Sequence, residues 1–411
     1  MIQQAIRALQ SGHWPTLVGA WLHFEISFMV WLLIGALSIP ISESFGLTDT
    51  QKGLLVGFPL LGGAILRIVV GPLADQFGAK ILGLGILGLE GLALFLAWQW
   101  GSSLEAMYGI GVLLGFAGAS FAIALPLASQ AYPPAFRGLA MGVAAVGNSG
   151  VLITSLVAPR LAQYMDWNQV FGVMLIPVML TFFIFFFTVQ RDAKTLSSPL
   201  VFVEDQSYLN FIKSLKDPFM YWLSFLYAVT FGGFVGFSSY LPIFLQDQYQ
   251  VGMVMAGTLT AICGFVGSLA RPIGGYMADR LGGLSLLKNL FLGIAFLCFL
   301  LSGFFEVAGL ASVMVAIVLM MGGLGFSNGV IFQVVSSRFS RLMGTASGLI
   351  GAAGGIGGFF LPVWFGWLKE VSGVFSSGFF IFGIILGIAG ISAMMVYRTV
   401  GASLPKPAEE F

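Results

Sequence analysis

Residues 62–80 read GGAILRIVVGPLADQFGAK, and residues 267–283 read GSLARPIGGYMADRLGG. The two stretches are copies. Arg67 and Arg271 lie 204 residues apart, as do Asp75 and Asp279, Gly63 and Gly267, and Gly71 and Gly275. Each copy begins as an apolar helix carrying one arginine. Each then reads as leaving the membrane at a tight Gly-Pro or Gly-Gly turn that holds the aspartate. A duplicated helix-turn unit with an arginine inside apolar sequence therefore organises the chain.

The surrounding composition sets the solvent. Of 411 residues, 58% are hydrophobic and 9% are charged, with a mean hydropathy of +0.97. A soluble domain carries about 25% charged residues, so lipid is the expected surroundings. A helix crosses the hydrocarbon with about 20 apolar residues and satisfies its own backbone groups. The apolar runs are too long and continuous for barrel strands. The fold class expected is all-α membrane protein, with twelve helices in two pseudo-symmetric halves. The helices fall near 16–39, 50–73, 81–99, 104–128, 137–161, 167–190, 219–245, 251–277, 285–307, 310–336, 340–368 and 374–398. One polar interruption is long, so the expected organisation is a first half at 1–190, a cytoplasmic linker at 191–217 and a second half at 218–411.

Placing both termini in the cytoplasm puts thirteen of the 18 Lys and Arg inside and three outside: Lys52, Arg160 and Lys369. Arg67 and Arg271 remain within helices. That asymmetry follows the positive-inside bias. No small-residue cleavage site follows the N-terminal arm, so no removable signal peptide is read. A net charge of +1 gives no ground for a nucleic-acid partner. Cys263 and Cys298 fall in apolar runs and read as buried small hydrophobes. The GxGxxG-like runs follow no strand and are not a nucleotide fingerprint. No nucleophile–base pair or metal-ligand cluster is visible, so an enzyme, a metal site or a cofactor is not expected. A membrane sensor would need a soluble signalling domain, and the largest polar segment is 191–217.

A charged side chain at bilayer depth costs about 2.5–3.5 kcal/mol on an insertion scale. Snorkelling does not relieve Arg67, because Asp75 at the helix end is about 12 Å away along the axis. The acids inside apolar runs are Glu25 and Glu90, and the second half has no mid-helix acid. The functional reading is that both arginines face a central cavity. Guanidinium is always charged and donates in a planar fork. One fork from each half would clamp a small planar anion where repeat-built transporters place their sites. Phe121 in helix four and the i, i+4 pair Tyr227 and Phe231 in helix seven read as packing or as cavity lining. Asn148 reads as an interhelical hydrogen bond or a ligand. His23 and Glu25 in helix one are a candidate proton relay, or a polar pair at the wet inner mouth.

The motifs match a known family. GPLADQFGAK after helix two and GGYMADRLGG after helix eight resemble the loop motif Gly-x-Leu-Ala-Asp-(Arg/Lys)-x-Gly-(Arg/Lys) of the major facilitator superfamily. The first copy departs from it at Gln76 and Ala79. Within that superfamily, GVAAVGNSGVLITSLVAP (142–159) and GAAGGIGGFFLP (351–362) resemble the paired nitrate signatures of helices five and eleven in the nitrate/nitrite porter family. The compact central loop resembles the bacterial assimilatory members. The resemblance implies an alternating-access importer of nitrate, with nitrite as a further substrate, in the cytoplasmic membrane, acting as a monomer. It places the anion between Arg67 and Arg271, walled by Phe121, Tyr227 and Phe231. Asn148, Gly147, Gly354 and Gly355 would complete the pocket, and Asp75, Gly71, Asp279 and Gly275 would serve the gating turns. Coupling stays open between proton symport and exchange against nitrite. Another small inorganic or carboxylate anion is the alternative cargo.

Overall fold

The computed structural model describes residues 11–133, 136–190, 217–304, 308–339 and 343–400. Twelve spans cross the molecule. The first, α1, is interrupted: Trp14–Trp31, Leu33–Ala36 and Ser38–Phe45. The next two are α2 (Asp49–Phe77) and α3 (Ala79–Trp100). The fourth, α4, is broken into Leu104–Gly118 and Phe121–Gln130. The fifth, α5, runs Arg137–Ala145, a 3₁₀ turn Val146–Ser149 and Gly150–Leu161. Then come α6 (Trp167–Thr188), α7 (Pro218–Tyr249), α8 (Met253–Leu281), α9 (Gly283–Phe304), α10 (Leu310–Arg338), α11 (Met343–Ser372) and α12 (Ser376–Val400). Eleven contain segments long and apolar enough to span a membrane. The interrupted α1 supplies the twelfth. The all-α architecture expected from the sequence is therefore the observed one. The linker expected at 191–217 lies outside the described residues apart from Asp217.

The repeat is helical for longer than its sequence suggests. Neither Gly71-Pro72 nor Gly274-Gly275 is a turn, and both lie within helices, α2 and α8. The chain turns instead at Gly78 (φ 86°) and Gly282 (φ 83°), themselves 204 residues apart. A positive φ is open to glycine without steric penalty, so these two glycines end the duplicated helix. Pro272 is accommodated within α8.

The break in α1 at Leu37 has a local cause. Pro40 lacks an N–H and fits the first turn of a new helix, which starts at Ser38. Exposed aromatics stand at both ends of the bundle: Trp14, Tyr221 and Tyr397 at one, Trp98, Trp100, Tyr164 and Trp367 at the other. Such belts sit at membrane–water interfaces.

The halves meet along two seams, α2 on α11 and α5 on α8. Small residues allow the backbones to touch. A Cβ on Gly355 would lie 2.8 Å from Ala64 Cβ, and one on Gly257 would strike the Ser155 carbonyl. The α2–α11 seam is closed from Asp49 and Gly366 as far as Arg67 and Gly351. Beyond Arg67, a Cβ on Gly71 would meet nothing within 4 Å among the described residues. The bundle is thus closed at the Asp49 end.

Candidate anion-binding site

Arg67 projects from the middle of α2 and is 1% exposed; Arg271 projects from α8 and is 6% exposed. Both guanidinium groups lie beside the same two rings. Arg67 Cζ is 5.5 Å from the Phe121 ring centre and 5.1 Å from that of Phe231. Arg271 Cζ is 5.6 and 6.0 Å from those centres. Tyr227 stacks on Phe231 at 5.0 Å with planes 5° apart. Its hydroxyl accepts from Arg271 Nη2 at 3.4 Å. The structure therefore gathers five residues singled out from the sequence, Arg67, Arg271, Phe121, Tyr227 and Phe231, into one cluster between the halves.

The break in α4 builds part of this site. In a continuous helix the Gly118 carbonyl would accept from the N–H of Ala122. That N–H turns to Ala119 O at 2.9 Å, which frees the Gly118 carbonyl. Arg67 Nε donates to it at 2.7 Å. Phe121 begins the second segment and so enters the cluster. Arg67 Nη1 reaches the opposite half and donates to Gly351 O at 2.9 Å.

Among the described residues neither arginine has a carboxylate partner. Each keeps one buried nitrogen without an acceptor, Nη2 of Arg67 and Nη1 of Arg271. A buried, unsatisfied charged donor is costly, and the rings supply only partial compensation through cation–π attraction. Such a pair of donors suits an oxyanion.

The glycines divide by role. A Cβ on Gly354 would lie 2.7 Å from Tyr227 Cδ1 and 2.9 Å from Phe231 Cδ1, so its absence lets both rings lie against α11. Gly355 instead serves the α2–α11 seam, and Gly147 lets α5 approach Phe24 and Glu25 on α1. Asn148 is buried in the 3₁₀ turn between α1 and α8, its Oδ1 without a partner. Among the described residues no hydrogen bond joins it to either guanidinium.

His23 and Glu25 turn to different neighbours. His23 Nε2 lies 3.1 Å from Gly83 O, with the Phe185 ring at 4.9 Å, so it faces α3 and α6. Glu25 accepts from Ser149 Oγ at 2.8 Å on α5. No hydrogen bond or ion pair links the two among the described residues. Glu90 is also buried and accepts from Ser27 Oγ at 2.6 Å. Gly71 and Gly275 lie further along α2 and α8 than the arginines. Asp279 is exposed and forms no ion pair among the described residues; the side chain of Asp75 lies outside them.

Two site residues were not singled out from the sequence. Trp31 is buried with its ring 4.9 Å from Arg67 Cζ and stacks on Phe231 across the halves at 6.3 Å. Its Nε1 donates to Pro59 O at 2.7 Å. Phe332 on α10 lies 5.4 Å from Arg271 Cζ and edge-on to Phe121 and Tyr227. The available signal for Trp31 was an aromatic stripe on α1 at 24, 28 and 31; Phe332 had none.

Comparison with known proteins agrees with this architecture. The family model described as Major Facilitator Superfamily matches residues 20–362. The chain is 28% identical to a probable nitrate/nitrite antiporter of Thermus thermophilus, covering 94% of this chain and 92% of that protein. It is 31% identical to a nitrite extrusion protein of Bacillus subtilis, covering 86% of each. It is 33% identical to a probable nitrate/nitrite transporter of Mycobacterium tuberculosis, covering 82% of this chain and 85% of that one. A twelve-span bundle, a duplicated loop motif and these matches lead to one assignment: the chain belongs to the major facilitator superfamily, within its nitrate/nitrite porter family.

Proposed function

We propose that this protein carries nitrate and nitrite across the cytoplasmic membrane, importing nitrate by alternating access and binding the anion between Arg67 and Arg271. The observation that carries this reading is the pair of buried guanidinium nitrogens without acceptors, one from each half, beside Phe121 and Phe231. A flat, weakly hydrated oxyanion accepts from both forks and lays its faces on the rings. Gly354 leaves room for the rings behind it.

The charges at the site give an anion a way to drive closure. Two like charges repel in a low-dielectric site, and Arg67 is meanwhile held by the carbonyls of Gly118 and Gly351. An anion competes for those donors and removes the repulsion. It drives the switch to the extent that it binds one state more tightly than the other. Exchange of like anions suits a cluster with two positive groups and no acid among its described members. Importing an anion alone would oppose an inside-negative potential by about 2.3 kcal/mol per 100 mV. Nitrite leaving as nitrate enters moves no net charge.

The test is direct binding and liposome flux of nitrate and nitrite on purified protein, with Arg67→Lys and Arg271→Lys made in turn. Loss of binding and flux in both variants supports the clamp. Wild-type flux in either removes it. Small carboxylates competing as well as nitrate would reassign the cargo.

A further inference from the structure

The closed end of the bundle carries an ion ring that the anion site does not use. Lys52 Nζ contacts Asp49 Oδ1 at 3.3 Å and Asp247 Oδ2 at 2.8 Å. Lys369 Nζ contacts the same two oxygens, at 3.1 and 2.7 Å. Asp49 and Lys52 belong to α2 in the first half; Asp247 ends α7 and Lys369 lies near the end of α11 in the second. The side chains are 16–23% exposed, so the ring is largely withdrawn from water. Two neighbouring bonds also cross the halves: Thr50 N donates to Glu370 Oε2 at 2.9 Å, and Gln246 Nε2 to Glu43 Oε1 at 2.7 Å. On the other seam Arg160 Nη2 donates to Thr258 Oγ1 at 3.1 Å. All three basic residues that the charge bias leaves outside, Lys52, Arg160 and Lys369, thus bridge the halves. That role gives a reason for them to stand against the bias.

The connectivity is specific. Of the four contacts in the ring, two cross the halves (Lys52–Asp247 and Lys369–Asp49) and two stay within a half (Lys52–Asp49 and Lys369–Asp247). If the halves part, each carries away one lysine and one aspartate already in contact. Neither half is left with an unpaired charge at a site that is partly desolvated, the situation that makes breaking an ion pair expensive. An ion pair with a single member per half would leave one.

We propose that Asp49, Lys52, Asp247 and Lys369 form the outer gate of the transport cycle, a ring that opens by splitting into two neutral pairs. This rests on the alternating-access reading and on the termini lying in the cytoplasm. The gate closes the end of the bundle away from Gly78, the outer side when the termini lie in the cytoplasm, while Arg67 and Arg271 are buried beneath it.

The design predicts how charge inversion behaves. Asp49→Lys with Lys52→Asp keeps the first half neutral and internally paired, but sets lysine against lysine and aspartate against aspartate across the halves. Asp247→Lys with Lys369→Asp does the same from the other side. All four substitutions together restore opposite charges everywhere. A reporter cysteine at Ser239→Cys reads the gate. Ser239 is 1% exposed and packs against Gly35 of α1, on the inter-half surface eight residues below Asp247. The native Cys263 and Cys298 are buried and set the background.

A membrane-impermeant maleimide is applied to the outer face of right-side-out vesicles. Either half-inversion should accelerate labelling about tenfold or more, and the four-fold inversion should return it to within about threefold of the parent, since like-charge contacts replace the two attractive ones. Equal labelling in all four proteins, or a four-fold variant as fast as the half-inversions, overturns the gate. Should the four-fold variant fail to reach the membrane, Lys52→Gln with Lys369→Gln leaves two facing aspartates and must also accelerate labelling; parental labelling there overturns the gate equally. Nitrate flux is measured in parallel. Ring-dependent labelling without nitrate flux removes the cargo and leaves the gate. Flux with ring-independent labelling does the reverse. Acceleration only at the cytoplasmic face, which inverted vesicles expose to the reagent, overturns the outer gate.

Discussion

Arg67 Nη1 donates to the carbonyl of Gly351 at 2.9 Å, a hydrogen bond between residues 284 positions apart that ties α2 of one half to α11 of the other. The residue proposed to bind the anion is therefore also a contact of the α2–α11 seam. A group with both roles can link occupancy to the relative position of the halves, because drawing the guanidinium toward an anion changes a contact that crosses between them.

Lysine at position 67 keeps the charge and loses the fork. It cannot donate at once to Gly118 O, Gly351 O and an anion with the planar geometry of guanidinium. A hydrogen bond to a charged group contributes about 1.5–3 kcal/mol. Arg67→Lys should therefore weaken nitrate binding by roughly tenfold to a hundredfold and nearly abolish flux. Isothermal titration on detergent-purified protein checks the first, and liposome flux the second.

The glycines of α11 should respond very differently to one added methyl. In Gly354→Ala the new Cβ falls 2.7 Å from the Tyr227 ring and 2.9 Å from that of Phe231. Overpacking of this kind costs about 1–3 kcal/mol. In Gly351→Ala the nearest atom, Arg67 Cδ, is 3.7 Å away, an ordinary contact. Gly354→Ala should lower nitrate affinity about tenfold and depress Tm, while Gly351→Ala stays near wild type. Equal effects would mean that the ring pair does not depend on the close approach of α11.

How far the sequence spoke depended on distance along the chain. The 204-residue offset placed both arginines and both aspartates, and apolar periodicity placed every span, because these signals are local or exactly repeated. The true turn at Gly78 and Gly282 was hidden behind a more conspicuous Gly-Pro pair that the helix absorbs. The free Gly118 carbonyl was invisible, since it arises from a change in hydrogen bonding at Ala122 rather than from a breaker residue. In the ion ring only Asp49 and Lys52 are close enough in sequence to be paired on sight. Asp247 and Lys369 join them only once the halves are docked.

Trp31 offers a test of support behind the clamp. Its indole lies against Arg67 and Phe231 and donates to Pro59 O, while Gly63 and Gly118 leave space for its ring. Trp31→Phe removes a buried hydrogen bond, about 0.5–1.5 kcal/mol, and weakens a cation–π contact of about 0.5–2 kcal/mol. Nitrate affinity should fall roughly five- to thirtyfold with flux at saturating nitrate largely retained. Unchanged affinity would make the indole a packing residue only.

Exchange and proton symport separate in vesicles. Under exchange, nitrate uptake should rise steeply with nitrite inside and stay indifferent to an imposed potential, because each cycle moves one negative charge each way. Uncoupled entry would instead fall by roughly fiftyfold at −100 mV, the equivalent of about 2.3 kcal/mol. Glu25 is the discriminating residue. It accepts from Ser149 on α5, lies outside the arginine cluster and has no ion-pair partner among the described residues. Glu25→Gln should leave nitrate/nitrite exchange within about threefold of wild type, because the substituted amide still accepts from Ser149 through its oxygen. A pH gradient that drives uptake into nitrite-free vesicles, and loses that power in Glu25→Gln, would replace exchange with symport and make Glu25 the proton carrier.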